Sequence, residues 1–346
     1  MGDNAGGDEY TASVAVGGLV AALAVISVAL RFYSRHITAT GFKWDDWLVL
    51  LALATTLTSD VLVLYSSGIN PNGAEVASNT DPNYVYTPED IEYNKLTFIA
   101  TVIYFTIVSA TKLSILFMYQ RLFWINTSFR RQVIVVSVIV LGFWIGTTVS
   151  NLLNCIPIEW SWRNSLDDPR YCFNYNNFWL ASGVVEAIID IVIIVMPIRV
   201  VLKLHLDKSK KIAIAGVFLL GAFVILSGIV KVILSYEPGN REPSFARTAV
   251  WSTVHIGTGI VCASLPVCWP FFVGVVKYTK RRWTALSCIG KRGYDRNRLS
   301  SMDRSKTPMK DIERNISSPE GNYELHVRSV DSGVVLGVIS NSPEER

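Results

Sequence analysis

Seven apolar runs recur between residues 12 and 275, and they constrain the fold more than any other feature of the chain. They cover residues 12–30, 47–65, 96–119, 133–153, 178–196, 212–233 and 249–275. At the helical rise per residue each reaches roughly 30 Å, the thickness of a bilayer's hydrocarbon. Inside lipid every backbone polar group must be satisfied within its own segment, so runs of this length are expected to be helices. The fold class that follows is all-α: a polytopic membrane protein with a seven-transmembrane helix bundle at 12–275. Half of the 346 residues are apolar and only 17 % are charged. A soluble enzyme, a secreted disulfide scaffold and a nucleic-acid-binding domain fit that balance poorly, and no nucleic-acid partner is expected.

Orientation follows from the basic residues of the short loops. The first, third and fifth loops carry Arg31, Arg35 and Lys43; Arg121, Arg130 and Arg131; and Arg199, Lys203, Lys208, Lys210 and Lys211. The second, 66–92, has none, and the fourth and sixth have only Arg163, Arg170, Arg241 and Arg247. The odd loops are therefore expected in the cytosol, with the N-terminus (1–11) outside and the C-terminus inside. Asp3, Asp8 and Glu9 precede the first run without any Lys or Arg, which is the wrong start for a cleavable signal peptide. The second loop is acidic and is expected to be an external, solvated connection.

A basic juxtamembrane segment (276–293) and a polar tail (294–346) follow the last span. The tail lacks apolar periodicity and is expected to be disordered in the cytosol. The basic segment suits anionic lipid, and Cys288 within it is a palmitoylation candidate. Ser300 and Thr307 are candidate phosphorylation sites. Asn126-Thr-Ser and Asn315-Ile-Ser are glycosylation sequons on the expected cytosolic side, so neither is expected to carry a glycan.

Ionisable side chains within a span are costly, so each needs a partner or a purpose. Glu186 and Asp190 lie four apart on the fifth span, hence on one inward face, roughly 12 Å and 18 Å below the outer surface. Two carboxylates so close are not both expected to be ionised without a cation. They read either as a ligand, proton or cation site or as structural carboxylates that bond neighbouring helices. Asp190 is expected to be the structural one, with the helix broken at Pro197. Asp60, Asn151, Lys231, Trp251 and His255 also fall in the outer half of the bundle. Together with Glu186 they line an outward-open pocket if their faces converge, and otherwise form a hydrogen-bond network. Lys112, near the inner end of span three, either snorkels to the surface or pairs with Asp45 or Asp46. Cys155 and Cys172 bracket the external fourth loop and are expected to form a disulfide. No Cys or His spacing fits a metal site, and no metal or other cofactor is expected.

Several stretches taken in order resemble the fungal rhodopsin-domain family. They are Arg31…Arg35 followed by Asp45-Asp46-Trp47; Lys112-Leu-Ser-Ile-Leu with Tyr119-Gln-Arg121-Leu-Phe; Cys155…Trp160…Cys172; Asp190…Met196-Pro197; Lys210-Lys211; Gly221; and Leu265-Pro266…Pro270. That resemblance covers roughly residues 12–275. It implies seven helices and a role like those of family members, which include pathogen surface receptors and membrane proteins encoded in mycotoxin clusters such as the satratoxin cluster. The last span departs from the pattern, with Trp251, His255, Gly257 and Trp269 where the family often has Trp, Glu, Asn and Arg. It also lacks a lysine for a retinal Schiff base, so light sensing through retinal is disfavoured.

Three function classes remain open. One is a non-retinal sensor that binds a small molecule in the outer half of the bundle and signals to a cytosolic partner. Another is a membrane protein of a secondary-metabolite cluster, with Glu186, Asp190 or His255 as catalytic acid or base. Transport is the third, and the absence of an internal repeat counts against it.

Overall fold

The computed structural model describes residues 3–70, 73, 85–124, 126–163, 170–202, 208–244, 248–269, 271, 274 and 279. The acidic stretch 74–84, Cys288, Ser300, Thr307, Asn315 and the tail 294–346 lie outside the described residues.

Eight helices carry the described fold: α1 (Asp3–Ile37), α2 (Trp44–Ile69), α3 (Pro88–Leu122), α4 (Thr127–Leu152), the four-residue α5 (Trp160–Arg163), α6 (Tyr175–Leu202), α7 (Lys208–Ser235) and α8 (Thr248–Trp269). Seven of them are long and apolar enough to cross a membrane. Their ends show why they start where they do. Thr87 caps α3, its Oγ1 accepting from Asp90 N while Thr87 N donates to Asp90 Oδ2, and Pro88 supplies a preset first turn. Asn126 caps α4 by accepting from Phe129 N at 3.2 Å, so this sequon side chain is occupied by the helix end.

One expectation is overturned. Pro197 does not end the fifth span: α6 runs on to Leu202 with the proline inside it. A proline removes a single N–H from the ladder, a loss that membrane helices tolerate.

The third span is the axis of the bundle. In the most apolar stretch of α3, 72 % of residues are buried, against 17–39 % for the other six spans. A helix apolar on all sides belongs in the middle. Leu113, Leu116, Met118 and Tyr119 of α3 pack with Phe129, Val133, Val136 and Val140 of α4 and Ile189 and Ile193 of α6. On the other side Ile107 and Ala110 meet Ala24 and Val28 of α1, Val49, Ala52 and Leu53 of α2, and Ile260 and Ala263 of α8. Association in lipid relies on close packing and small residues. Gly183 of α6 faces Val232 of α7, and Gly221 of α7 faces Ile194 of α6, positions where an added Cβ would collide.

The Cys155–Cys172 disulfide closes the loop between α4 and α6. Trp160 stacks on Tyr171 with centroids 4.5 Å apart, and Trp162 packs against Phe98 of α3. This loop covers one end of the bundle, called below the disulfide end. The turn 38–43 and residues 123, 124 and 126 lie at the opposite end.

Candidate functional site

The centre of the bundle holds two joined groups of buried charge. Glu186 of α6 is 3 % exposed. Its Oε2 accepts from Lys231 Nζ of α7 at 3.0 Å and from Tyr104 Oη of α3 at 3.0 Å. Its Oε1 lies 2.9 Å from His255 Nε2 of α8 and 3.2 Å from Tyr104 Oη. Lys231 Nζ also donates to Tyr104 Oη and sits 4.5 Å from that ring's centroid. On the other side of the imidazole, His255 Nδ1 lies 3.0 Å from Val224 O. Both ring nitrogens therefore lie within hydrogen-bond distance of an oxygen. Gly228 makes room for the ring, since a Cβ there would sit 3.1 Å from His255 Cε1. One carboxylate thus ties α3, α6, α7 and α8 together.

One turn along α6, Asp190 pairs with Lys112 of α3. This corrects the expected pairing of Lys112 with Asp45 or Asp46, and the ammonium is buried rather than snorkelling. The physical reason is that α1 already occupies those aspartates. Arg31 reaches Asp45 at 2.6 Å and Asp46 at 2.7 Å, and Arg35 reaches Asp45 at 2.7 Å and Asp46 at 3.3 Å. Arg31 also donates to Ala263 O of α8 at 2.7 Å, and Ser114 of α3 donates to Asp45 O at 2.7 Å. This quartet staples α1, α2, α3 and α8 at the opposite end. Both aspartates sit in the first turn of α2, where the helix dipole favours negative charge. Arg121 donates to Thr40 O nearby.

The isolated carboxylate pair expected on α6 is thus supplied with cations: Lys231 for Glu186 and Lys112 for Asp190. Glu186, Asp190 and His255 bring ligand atoms within 4.8 Å of one another, a donor set of metal-binding type. Both carboxylates already have an ammonium partner.

A cavity of about 60 Å³ opens beside this cluster, among α3, α6, α7 and α8. Its walls are mostly aliphatic, from Ile107 and Val108 through Ile193, Val217 and Val224 to Pro266. Lys112, Asp190 and His255 also line it. Asp190 is 8 % exposed, and its Oδ2 has no hydrogen-bond partner among the described residues.

Not every sequence candidate arrives here. Asn151 sits toward the disulfide end, accepting from Tyr175 Oη at 3.0 Å, and its amide nitrogen has no partner among the described residues. Tyr175 leads back to the cluster through Trp179, which packs 5.6 Å from Tyr104. Asp60 and Trp251 are half-buried and make no ion pair or hydrogen bond to the cluster among the described residues. Tyr104, the hydroxyl shared by both partners of the central pair, carried no signal in the sequence beyond its place in an apolar run.

Comparison with known proteins gives a consistent picture. The sequence model of the fungal rhodopsin domain matches residues 30–274. Satratoxin biosynthesis SC1 cluster protein 4 of Stachybotrys chartarum is 29 % identical over 45 % of this chain and 57 % of its own length. Polyenoic acids biosynthesis gene cluster protein Ba17b of Metarhizium anisopliae is 21 % identical over 71 % of this chain and 69 % of its own. Receptor GIN3 of Arthrobotrys oligospora is 24 % identical over 70 % of this chain and 57 % of its own. The chain thus spans just over half the length of the first and third of these relatives. No solved structure matches the chain.

Proposed function

The chain belongs to the fungal rhodopsin domain family and is a multi-pass integral membrane protein, and from that premise we propose that it is a receptor-like sensor of a small molecule. A ligand held in the bundle biases the helix arrangement, and the Glu186 cluster is the element that feels it. The observation that carries this reading is that both oxygens of a single buried carboxylate are bonded by groups from three other helices, beside a cavity. Interactions of that kind have discrete arrangements rather than a continuum, which is what a two-state switch requires. The relative named as a receptor supports the same reading.

A second reading has its own support, because several relatives are named for biosynthetic clusters. In it the bundle holds an apolar intermediate, and a carboxylate or His255 moves a proton. Against a catalytic Glu186, Lys231 Nζ, Tyr104 Oη and His255 Nε2 already crowd its two oxygens, so a substrate would have to displace one of them to reach the carboxylate.

Metabolite profiling of a deletion strain, a Glu186→Gln strain and the parent separates the two. The sensor reading expects profiles that are unchanged or broadly shifted. Loss of one product with build-up of one discrete precursor overturns it, and purified protein would then convert that precursor.

A further inference from the structure

Resting on the small-molecule reading above, we infer that the cavity beside Asp190 receives the hydroxyl-bearing end of an uncharged, otherwise apolar ligand. The polar anchor is Asp190, which lines the cavity and whose buried Oδ2 has no hydrogen-bond partner among the described residues. A carboxylate oxygen accepts and does not donate, so the complementary ligand atom carries a hydrogen. The other carboxylate oxygen is already held by Lys112.

Charge then selects among donors. An ammonium would meet the Lys112 ammonium in the same wall, and an anion would meet the Asp190 carboxylate. The Lys112–Asp190 pair is already neutral as a whole, so either ion would bring an uncompensated charge into an apolar interior at a large desolvation cost, whereas a neutral hydroxyl completes the hydrogen-bonding of Oδ2 and adds no charge. The remaining wall is aliphatic and suits carbon. Size sets the scale. A cavity of about 150 Å³ accommodates benzene, and this one is about 60 Å³. It takes the last two or three heavy atoms of a ligand rather than a whole metabolite. Water offers the same hydrogen-bond chemistry, and the experiment separates the two sources.

Cys262 lines the cavity and is a built-in reporter. The full-length chain with Cys268→Ser and Cys288→Ser keeps Cys262 as its single free thiol beside the disulfide. In nanodiscs, its rate of modification by a small neutral thiosulfonate is measured with ethanol, ethylammonium or acetate as the probe. Ethanol is expected to slow modification saturably, by about five-fold at four times its Kd. Ethylammonium and acetate are expected to leave the rate unchanged. Gly259→Val narrows the same cavity without touching an ion pair, since Gly259 faces only Thr111 Cγ2 at 3.6 Å, and it should abolish the ethanol effect. Asp190→Asn should weaken that effect, and Gly259→Val keeps the test decisive if Asp190→Asn fails to fold. Equal rates with all three probes mean a cavity that holds water only, an ethanol effect that survives Gly259→Val means that ethanol acts elsewhere, and either result overturns the inference. Such a result leaves the sensor reading standing if the metabolite profiles still support it. A discrete precursor accompanied by ethanol protection removes the sensor and keeps the site.

Discussion

Replacing Lys231 by Met is the sharpest test of the central cluster. The substitution keeps the volume of the side chain and removes its charge. It leaves Glu186 without its ammonium, with side-chain exposures at the pair of only 2 % and 4 %. Removing one member of a buried ion pair typically costs about 3–5 kcal/mol, because the remaining charge is left uncompensated. For a bundle of this size each kcal/mol moves the melting temperature by about 2–4 °C, so the drop should be near 10 °C. Adding Glu186→Gln to Lys231→Met removes the orphaned charge, and the amide can still bond Tyr104 and His255. The double variant should therefore recover more than half of the loss, a coupling of at least about 2 kcal/mol. Unfolding is followed by a thiol-reactive fluorophore on a Cys288→Ser background, where the free thiols are the buried Cys262 and Cys268. A drop below about 2 °C for Lys231→Met, or losses that simply add in the double variant, would show that the four groups do not act as one charged unit.

Three further outcomes follow from the rest of the bundle. Arg31→Gln should reduce the monodisperse fraction on size exclusion far more than Arg35→Gln, because Arg31 is fully buried and holds Ala263 O as well as both aspartates; equal effects would refute that ranking. Cys155→Ser with Cys172→Ser closes off a loop constraint over a separation of 17 residues and should cost about 3 kcal/mol in the same melt; an unchanged melting temperature would show that the covering loop contributes nothing to stability. Asn126→Ala should cost about 1 kcal/mol through the lost helix cap while Asn126→Asp does not, and endoglycosidase treatment should leave the mobility of the wild-type chain unchanged; a glycan at Asn126 would reverse the expected topology.

The parts of this architecture that could be read in advance are those fixed by local rules. A bilayer demands that each span satisfy its own backbone, so seven runs of the right length already specify seven helices. The disulfide followed from two cysteines bracketing one loop expected on the outer side. Which helix meets which was not legible, because the faces of α3 are apolar on every side and carry no stripe that names a neighbour. Lys112 shows the consequence: taken alone it had two nearby aspartates at the start of α2 as partners, and its partner is Asp190.

Charge balance was the missing step. Arg31 and Arg35 lie one turn apart on α1, and Asp45 and Asp46 follow after a short turn, so two cations and two anions are brought together by the chain itself. Read as a closed set, they leave no charge for Lys112. The two remaining carboxylates in the middle of the membrane, Glu186 and Asp190, then face two remaining buried ammonium groups, Lys231 and Lys112. Geometry divides them by depth, Lys231 with Glu186 and Lys112 with Asp190. Within the cluster, His255 is the group that this accounting leaves over. It sits against a carboxylate that already has a cation. A histidine added to a complete pair tunes that pair without being needed to neutralise it. His255→Gln is accordingly expected to shift the melting temperature less than Lys231→Met in the same assay, and a larger shift would mean that the imidazole, not the ammonium, is what holds Glu186 in the bundle.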